Sequence, residues 1–170
     1  YLERMNELGA VWNGTTSSER VNYYMTIGVD SLVAGLQFME DAIRYPLFLQ
    51  EELVRERPVV IGEFDRVESD PSFHLQRAMD TLLWSPGYYS HKNVIGDREV
   101  ILTTTTEKMR TIQERFYVPN NTALILSGAI TADEGFRLAE QVFGEWPGGA
   151  DPCQAPIADP PPLTESKAVI

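Results

Sequence analysis

The stretch RERPVVIGEFDRVESD, residues 55–70, decides how the chain is read. Val59, Val60, Phe64 and Val67 form the apolar stripe of a helix, and one acid, Glu63, stands among them. Glu56 precedes it by seven residues. Helical residues advance by about 100° each, so this spacing returns to within about 20° of the same face. A carboxylate buried there without a partner is costly or becomes protonated. A salt bridge to Arg55, Arg57 or Arg66, a donating helix N-terminus, or a metal ion would each relieve that cost. Taken alone, the helix is explained most simply by an ion pair or a solvated face. Gly62 costs a helix about 1 kcal/mol relative to alanine, and next to Glu63 it leaves room for close approach of another helix. Pro58 disfavours helix at Arg57, so the shared-face argument is firmer from Glu63 onward than at Glu56.

Around this stretch, residues 49–69 are helical in pattern. Asp70-Pro71 gives an N-cap followed by proline at N1, opening a helix to about Trp84. Upstream, Asp30 can cap a helix running to Tyr45, with Leu32, Leu36, Met39 and Ile43 on its buried face and Pro46 as its stop. Before that lies GAVWNGTTSSERVNYYMTIG. Asn13-Gly14 is a hairpin-turn signal, but a turn at Ser17–Arg20 gives two arms of useful length, Val11–Thr16 and Val21–Thr26, and is preferred. Gly14 then lies inside a strand, where glycine marks a bulge or close approach.

Tyr1, Leu2, Met5 and Leu8 make a helical stripe closed by Gly9. That stripe has no N-cap within the chain, and the expectation is a segment of a longer protein. Downstream, Ser85–Gly96 reads as a loop, and Thr104 with Glu107 fits a capping box for a helix ending near Tyr117. Thr122–Ile130 reads as a buried strand. Thr131 and Glu134 form another capping box, on a helix closed by Gly144. From Pro147 to Thr164 the chain is a linker holding six of the eleven prolines, extended and semi-rigid. Glu165–Ile170 reads as the start of a strand.

Apolar residues make up 43% of the 170 and charged residues 23%, the balance of a globular protein. No apolar run approaches the length of a membrane-crossing helix, and a formal charge of −11 argues against nucleic acid and anionic membrane surfaces as partners. Cys153 is the sole cysteine, and His74 and His91 are the only histidines, so a complete His-rich metal site within the chain is not expected. His74 falls eleven residues after Glu63, within about 20° on a continuous helix, but Pro71 interrupts that continuity. It reads as a surface histidine, and His91 as an exposed loop residue. Tyr23, Tyr24, Phe38, Trp84 and Phe116 read as core aromatics.

LGAVWNGTTSSERVNYY, a helix ending in YPLF, RERPVVIGEFDR, VIGDREVI, RFYVPNNTALILSGAI and FRLAEQVFGEWP follow one another in an order and at spacings that resemble the N-terminal half of the M16 (pitrilysin/insulinase) metallopeptidases. That group includes insulin-degrading enzyme and the mitochondrial processing peptidases. The resemblance covers nearly the whole chain. It implies an α+β fold, a mostly antiparallel sheet with helices packed on one face, and an incomplete peptidase-like domain over 1–146. The linker 147–164 comes after it, and then the start of a further strand, 165–170.

In that family zinc is held by an inverted HxxEH motif and by the second glutamate of an E-x6-E pair. The resemblance therefore makes Glu63 a zinc ligand and Glu56 a supporting acid that orients the site. It makes Asn13, Gly14 and Thr15, with Trp12, a strand edge that pairs with the substrate backbone. Gly14 stands where the family usually has alanine, and Val21 where it often has threonine. HxxEH is absent from these residues, and with it two zinc ligands and the general-base glutamate.

The expectation is a zinc endopeptidase acting on peptide or protein substrates. A homologous second half or subunit would complete it, and the chain alone would be inactive. A non-catalytic scaffold or substrate-binding subunit of the same family is the alternative. Exposed apolar surface on a strand edge or helix face would make the isolated chain self-associate.

Overall fold

Polar Ser17–Arg20 sits between two arms rich in β-branched and aromatic residues, and this local chemistry forms the one sheet among the described residues. The computed structural model describes residues 2–84, 94–154 and 164–166. In it β1 (Val11–Thr16) and β2 (Val21–Thr26) pair as an antiparallel hairpin. The Ser17 N–H donates to the Arg20 carbonyl at 2.9 Å, and the Arg20 N–H donates to Ser17 Oγ at 3.3 Å. Ser17–Arg20 is thus the turn, and Asn13-Gly14 lies within β1. The fold is helix-rich, with α1 (Leu2–Glu7), α2 (Leu32–Arg44), α3 (Gln50–Glu68), α4 (Pro71–Leu83), α5 (Arg98–Thr103), α6 (Thr106–Phe116) and α7 (Ala132–Phe143).

Two compact units divide the chain, one of residues 1–15, 21–47 and 110–152, the other of residues 16–20, 48–109 and 153–170. In the first, α1 closes on Gly9, whose φ of 62° suits glycine. The Gly9 N–H donates to the Asn6 carbonyl and the Ala10 N–H to that of Met5, the paired bonds of a Schellman cap. Met5, Leu36, Val118 and Leu138 are buried, and α2 packs on α7. Gly35 of α2 lets Ile27 and Met25 press against the helix backbone. Gln113 of α6 donates to the carbonyls of Ile43 and Arg44, satisfying the otherwise unpaired C-terminal end of α2.

Among the described residues of the second unit, Phe64 of α3 is the buried one, 2% exposed. Its ring meets Phe73 of α4 edge-on at 6.1 Å. Asp70 caps α4 through Ser72, with Pro71 at N1, as the sequence predicts.

Four expectations are corrected. Thr122–Ile130 is not a buried strand: the segment joins no sheet, and Ile125 is 86% exposed. A strand needs a ladder partner, and the described residues offer it none. Asp30 does not cap α2; it lies in a 3-10 turn, Val29–Ser31, that leads into the helix. The cap of α6 is Thr105, whose Oγ1 accepts from the Lys108 N–H, because Thr104 is drawn to the Val100 carbonyl of α5. Tyr23 and Tyr24 are about half exposed on the hairpin rather than core, while Phe38, Trp84 and Phe116 are half-buried. Most of the loop 85–96, residues 155–163 of the linker and 167–170 of the final strand lie outside the described residues, as does His91.

Candidate metal-ligand face and strand edge

Helix α3 runs without a break through Pro58, from Gln50 to Glu68. The geometry that places Glu56 and Glu63 on one face therefore extends to both acids, about 10 Å apart along the axis. Both are exposed. The face they share is open rather than buried, since Val59 is 55% exposed and Val60 and Val67 are half-buried. The buried side of α3 is the one that carries Phe64. Of the simple explanations the solvated face is thus the one realised.

Neither Glu56 nor Glu63 has an ion pair or hydrogen bond among the described residues. Arg57 turns instead to the Thr104 carbonyl, donating from Nη2 at 2.7 Å. A side chain at Gly62 would meet nothing within 4 Å, so the ground beside Glu63 is clear. What α3 presents is two exposed, unpaired carboxylates two turns apart on one face.

A carboxylate oxygen is a proper ligand for zinc, and Glu63 fits the part of one ligand. No three His, Cys, Asp or Glu side chains gather into a metal-holding group among the described residues. The residues present thus fit a contribution to a zinc site, not a whole one. His74 does not join Glu63. Helix α3 ends at Glu68 and α4 begins at Pro71, and the imidazole Nε2 lies 2.8 Å from the Glu68 carbonyl.

Asn13, Gly14 and Thr15 occupy the middle of β1, exposed throughout. The Gly14 N–H donates to Asn13 Oδ1 at 2.8 Å, and Asn22 Nδ2 donates across the hairpin to Thr15 Oγ1 at 3.2 Å. The Tyr23 ring lies over Gly14, where an added methyl would touch it at 3.5 Å. The Tyr23 and Tyr117 hydroxyls share a hydrogen bond of 2.8 Å. Withdrawal of the Tyr23 hydroxyl from water, then its bond to Tyr117, holds it well above the usual phenol range, although the residue is half exposed. The candidate substrate strand belongs to one unit and the candidate metal ligand to the other.

Hydrophobic periodicity misses α5 and its contacts. Arg98 pairs with Asp65 and Glu68 of α3. Asp97 ahead of Arg98-Glu99 is the signal the sequence does carry, an acid at the N-cap position followed by another in the first turn.

The family model described as insulinase (peptidase family M16) matches residues 1–91, and that of the peptidase M16 inactive domain matches residues 103–170. An uncharacterized zinc protease of Rickettsia felis is 23% identical over 148 residues, 83% of this chain and 34% of that protein. Coenzyme PQQ synthesis protein F of Pseudomonas aeruginosa is 27% identical over 157 residues, 91% of this chain and 20% of its own length. The first half of the periplasmic protease PqqL from Escherichia coli superposes with a TM-score of 0.78 at 20% identity, covering 92% of this chain and 35% of that one. The chain thus spans about a third or less of the length of these relatives.

Proposed function

This chain belongs to the insulinase family of peptidases, family M16, and we propose that it supplies the glutamate ligand and the substrate-pairing strand of a zinc endopeptidase. The observation that carries this is the pair of free carboxylates, Glu56 and Glu63, on the open face of α3. A zinc ion held with the help of Glu63 would supply Lewis-acid chemistry, polarising a peptide carbonyl and acidifying a water. Glu63 offers it an anionic oxygen. Glu56, two turns earlier, orients the site by hydrogen bonding. Asn13, Gly14 and Thr15 hold the substrate backbone as an added strand, once the Asn13 carboxamide releases the Gly14 N–H.

The histidine ligands and the general base come from outside these residues, as the two histidines present are not spaced for HxxEH. The 170 residues alone therefore do not hydrolyse peptides, and the partner they require is a segment carrying HxxEH together with a homologous second half. Residues 1–146 act as the peptidase-like part. The exposed Val11, Trp12, Val21 and Tyr24 of the hairpin support self-association of the isolated chain. Light scattering from a clean monomer would overturn that point.

The test uses the full-length protein, a fluorogenic peptide and a measurement of bound zinc. Chelation and Glu63→Gln are each expected to abolish hydrolysis, and Glu63→Gln to lower zinc content. Hydrolysis indifferent to both overturns the reading. The match of residues 103–170 to an inactive-domain model favours one alternative, a non-catalytic scaffold. In that case the full-length protein binds peptides without cleaving them, and Glu63→Gln leaves binding unchanged.

A further inference from the structure

We infer that Arg98 and Arg57 are positioning residues: they clamp α5 to α3 at two points and so fix the rotation of α3 about its axis, which sets where the Glu63 carboxylate points. This rests on the reading of Glu63 as a zinc ligand given above.

Helix α5 has six residues and buries none of them, too short to stand by itself. It is held at both ends. Arg98, its first residue, donates to Asp65 and, at 2.8 Å, to Glu68, while its guanidinium lies 4.8 Å from the centre of the Phe64 ring. At the other end Arg57 donates to the carbonyl of Thr104, the C-cap of α5. That carbonyl has no partner within its helix, and a cation there is favoured by the helix dipole. The two anchors make α5 run antiparallel along α3, its most extensive packing partner.

The clamp grips one side only. With Glu56 set at 0°, Glu63 falls at about −20°, and Phe64, Arg57, Glu68 and Asp65 at about 80°, 100°, 120° and 180°. The gripped side is thus centred about 130° from the acids, which stay open. A helix with its side chains is about 10–12 Å across, so a roll of about 10° carries a carboxylate tip about 1 Å. Metal–ligand distances tolerate about 0.2 Å. A ligand on a helix with a single buried residue, Phe64, needs its azimuth held by something besides hydrophobic packing, and the two arginines do this.

The experiment measures zinc affinity of the full-length protein by competition with a chromophoric chelator, at a temperature where each variant is folded by circular dichroism, together with kcat and KM. Arg98→Ala is expected to weaken zinc binding about tenfold and to lower kcat with KM nearly unchanged. Arg98→Lys should restore most of the affinity. Asp65→Asn with Glu68→Gln should reproduce the Arg98→Ala loss, and adding Arg98→Ala to that pair should cost nothing more. If Arg98→Ala does not fold, the single Asp65→Asn and Glu68→Gln variants, which each keep one bond, are read the same way. A lower melting temperature with zinc affinity and kcat intact makes the arginines merely structural and overturns the inference. Retention of zinc by Glu63→Gln overturns the ligand assignment instead, so the two failures are told apart.

Discussion

Phe64→Ala tests the packing on which the second unit depends. The ring is 2% exposed, meets Phe73 edge-on and lies beneath the Arg98 guanidinium. Burying a phenylalanine contributes about 1.5–3 kcal/mol, the aromatic pair about 0.5–1.5, and the cation over the ring about 0.5–1 where partly solvated. These place the loss near 4 kcal/mol, inside the range of about 3–5 seen for such truncations. Against a typical domain stability of about 5–15 kcal/mol, most of the margin disappears. Phe64→Leu keeps most of the burial and loses only the ring contacts, so about 1–2 kcal/mol is expected. Urea unfolding followed by far-ultraviolet circular dichroism gives both numbers, with an unchanged m-value as the sign that only stability moved. A loss below about 1 kcal/mol for Phe64→Ala would refute the assignment of Phe64 as the packing centre of α3, α4 and α5.

Gly35→Ala is expected to destabilise by about 1 kcal/mol: its methyl would come 2.9 Å from Ile27 Cδ1 and 3.0 Å from Met25 Sδ, and overpacking outweighs the gain in helix propensity. A rise in melting temperature contradicts this. Gly9→Ala forces a side chain into the left-handed region at φ 62° and should cost about 1–2 kcal/mol, with Gly9→Asn losing less; equal losses would show that the cap conformation is not the cause. The bonds from the Ser72 hydroxyl and then the Ser72 N–H hold the Asp70 carboxyl below the usual range. Because the folded value is depressed, this stabilisation is present above the unfolded carboxylate pKa and is lost as pH falls through the folded one. Asp70→Asn keeps a cap acceptor but cannot titrate, so its melting temperature should fall less than wild type's on acidification below about pH 4; parallel curves would contradict the argument.

What sequence could reach was set by how local the physics is. The hairpin arms, the Ser17–Arg20 turn, the Gly9 cap and the Asp70-Pro71 start are chemistry within a few residues, and each stands as read. Thr122–Ile130 failed because an apolar run reports that burial is wanted, not that a partner strand is present. Thr104 lost its cap to Thr105 because α5, a six-residue helix held by arginines, was invisible to hydrophobic periodicity. For Glu63, periodicity placed it on one face with Glu56 but left open whether that face was buried or solvated. Valine at one position of a stripe does not distinguish a buried face from the flank of an open one, and the contact that settles it, Phe64 against Phe73, lies across two helices.

Pro58 gives the two glutamates different mechanics. With no N–H to offer the Val54 carbonyl, it removes one rung between the opening turns of α3 and the rest. Fraying that starts at Gln50 reaches that gap only by breaking the Arg57 bond to the Thr104 carbonyl, whereas Glu63 lies in the stretch that Arg98 grips through Phe64, Asp65 and Glu68. The two acids are thus held by different fastenings, one arginine reaching out from α3 beside Glu56 and another reaching in beside Glu63, with Pro58 standing between them.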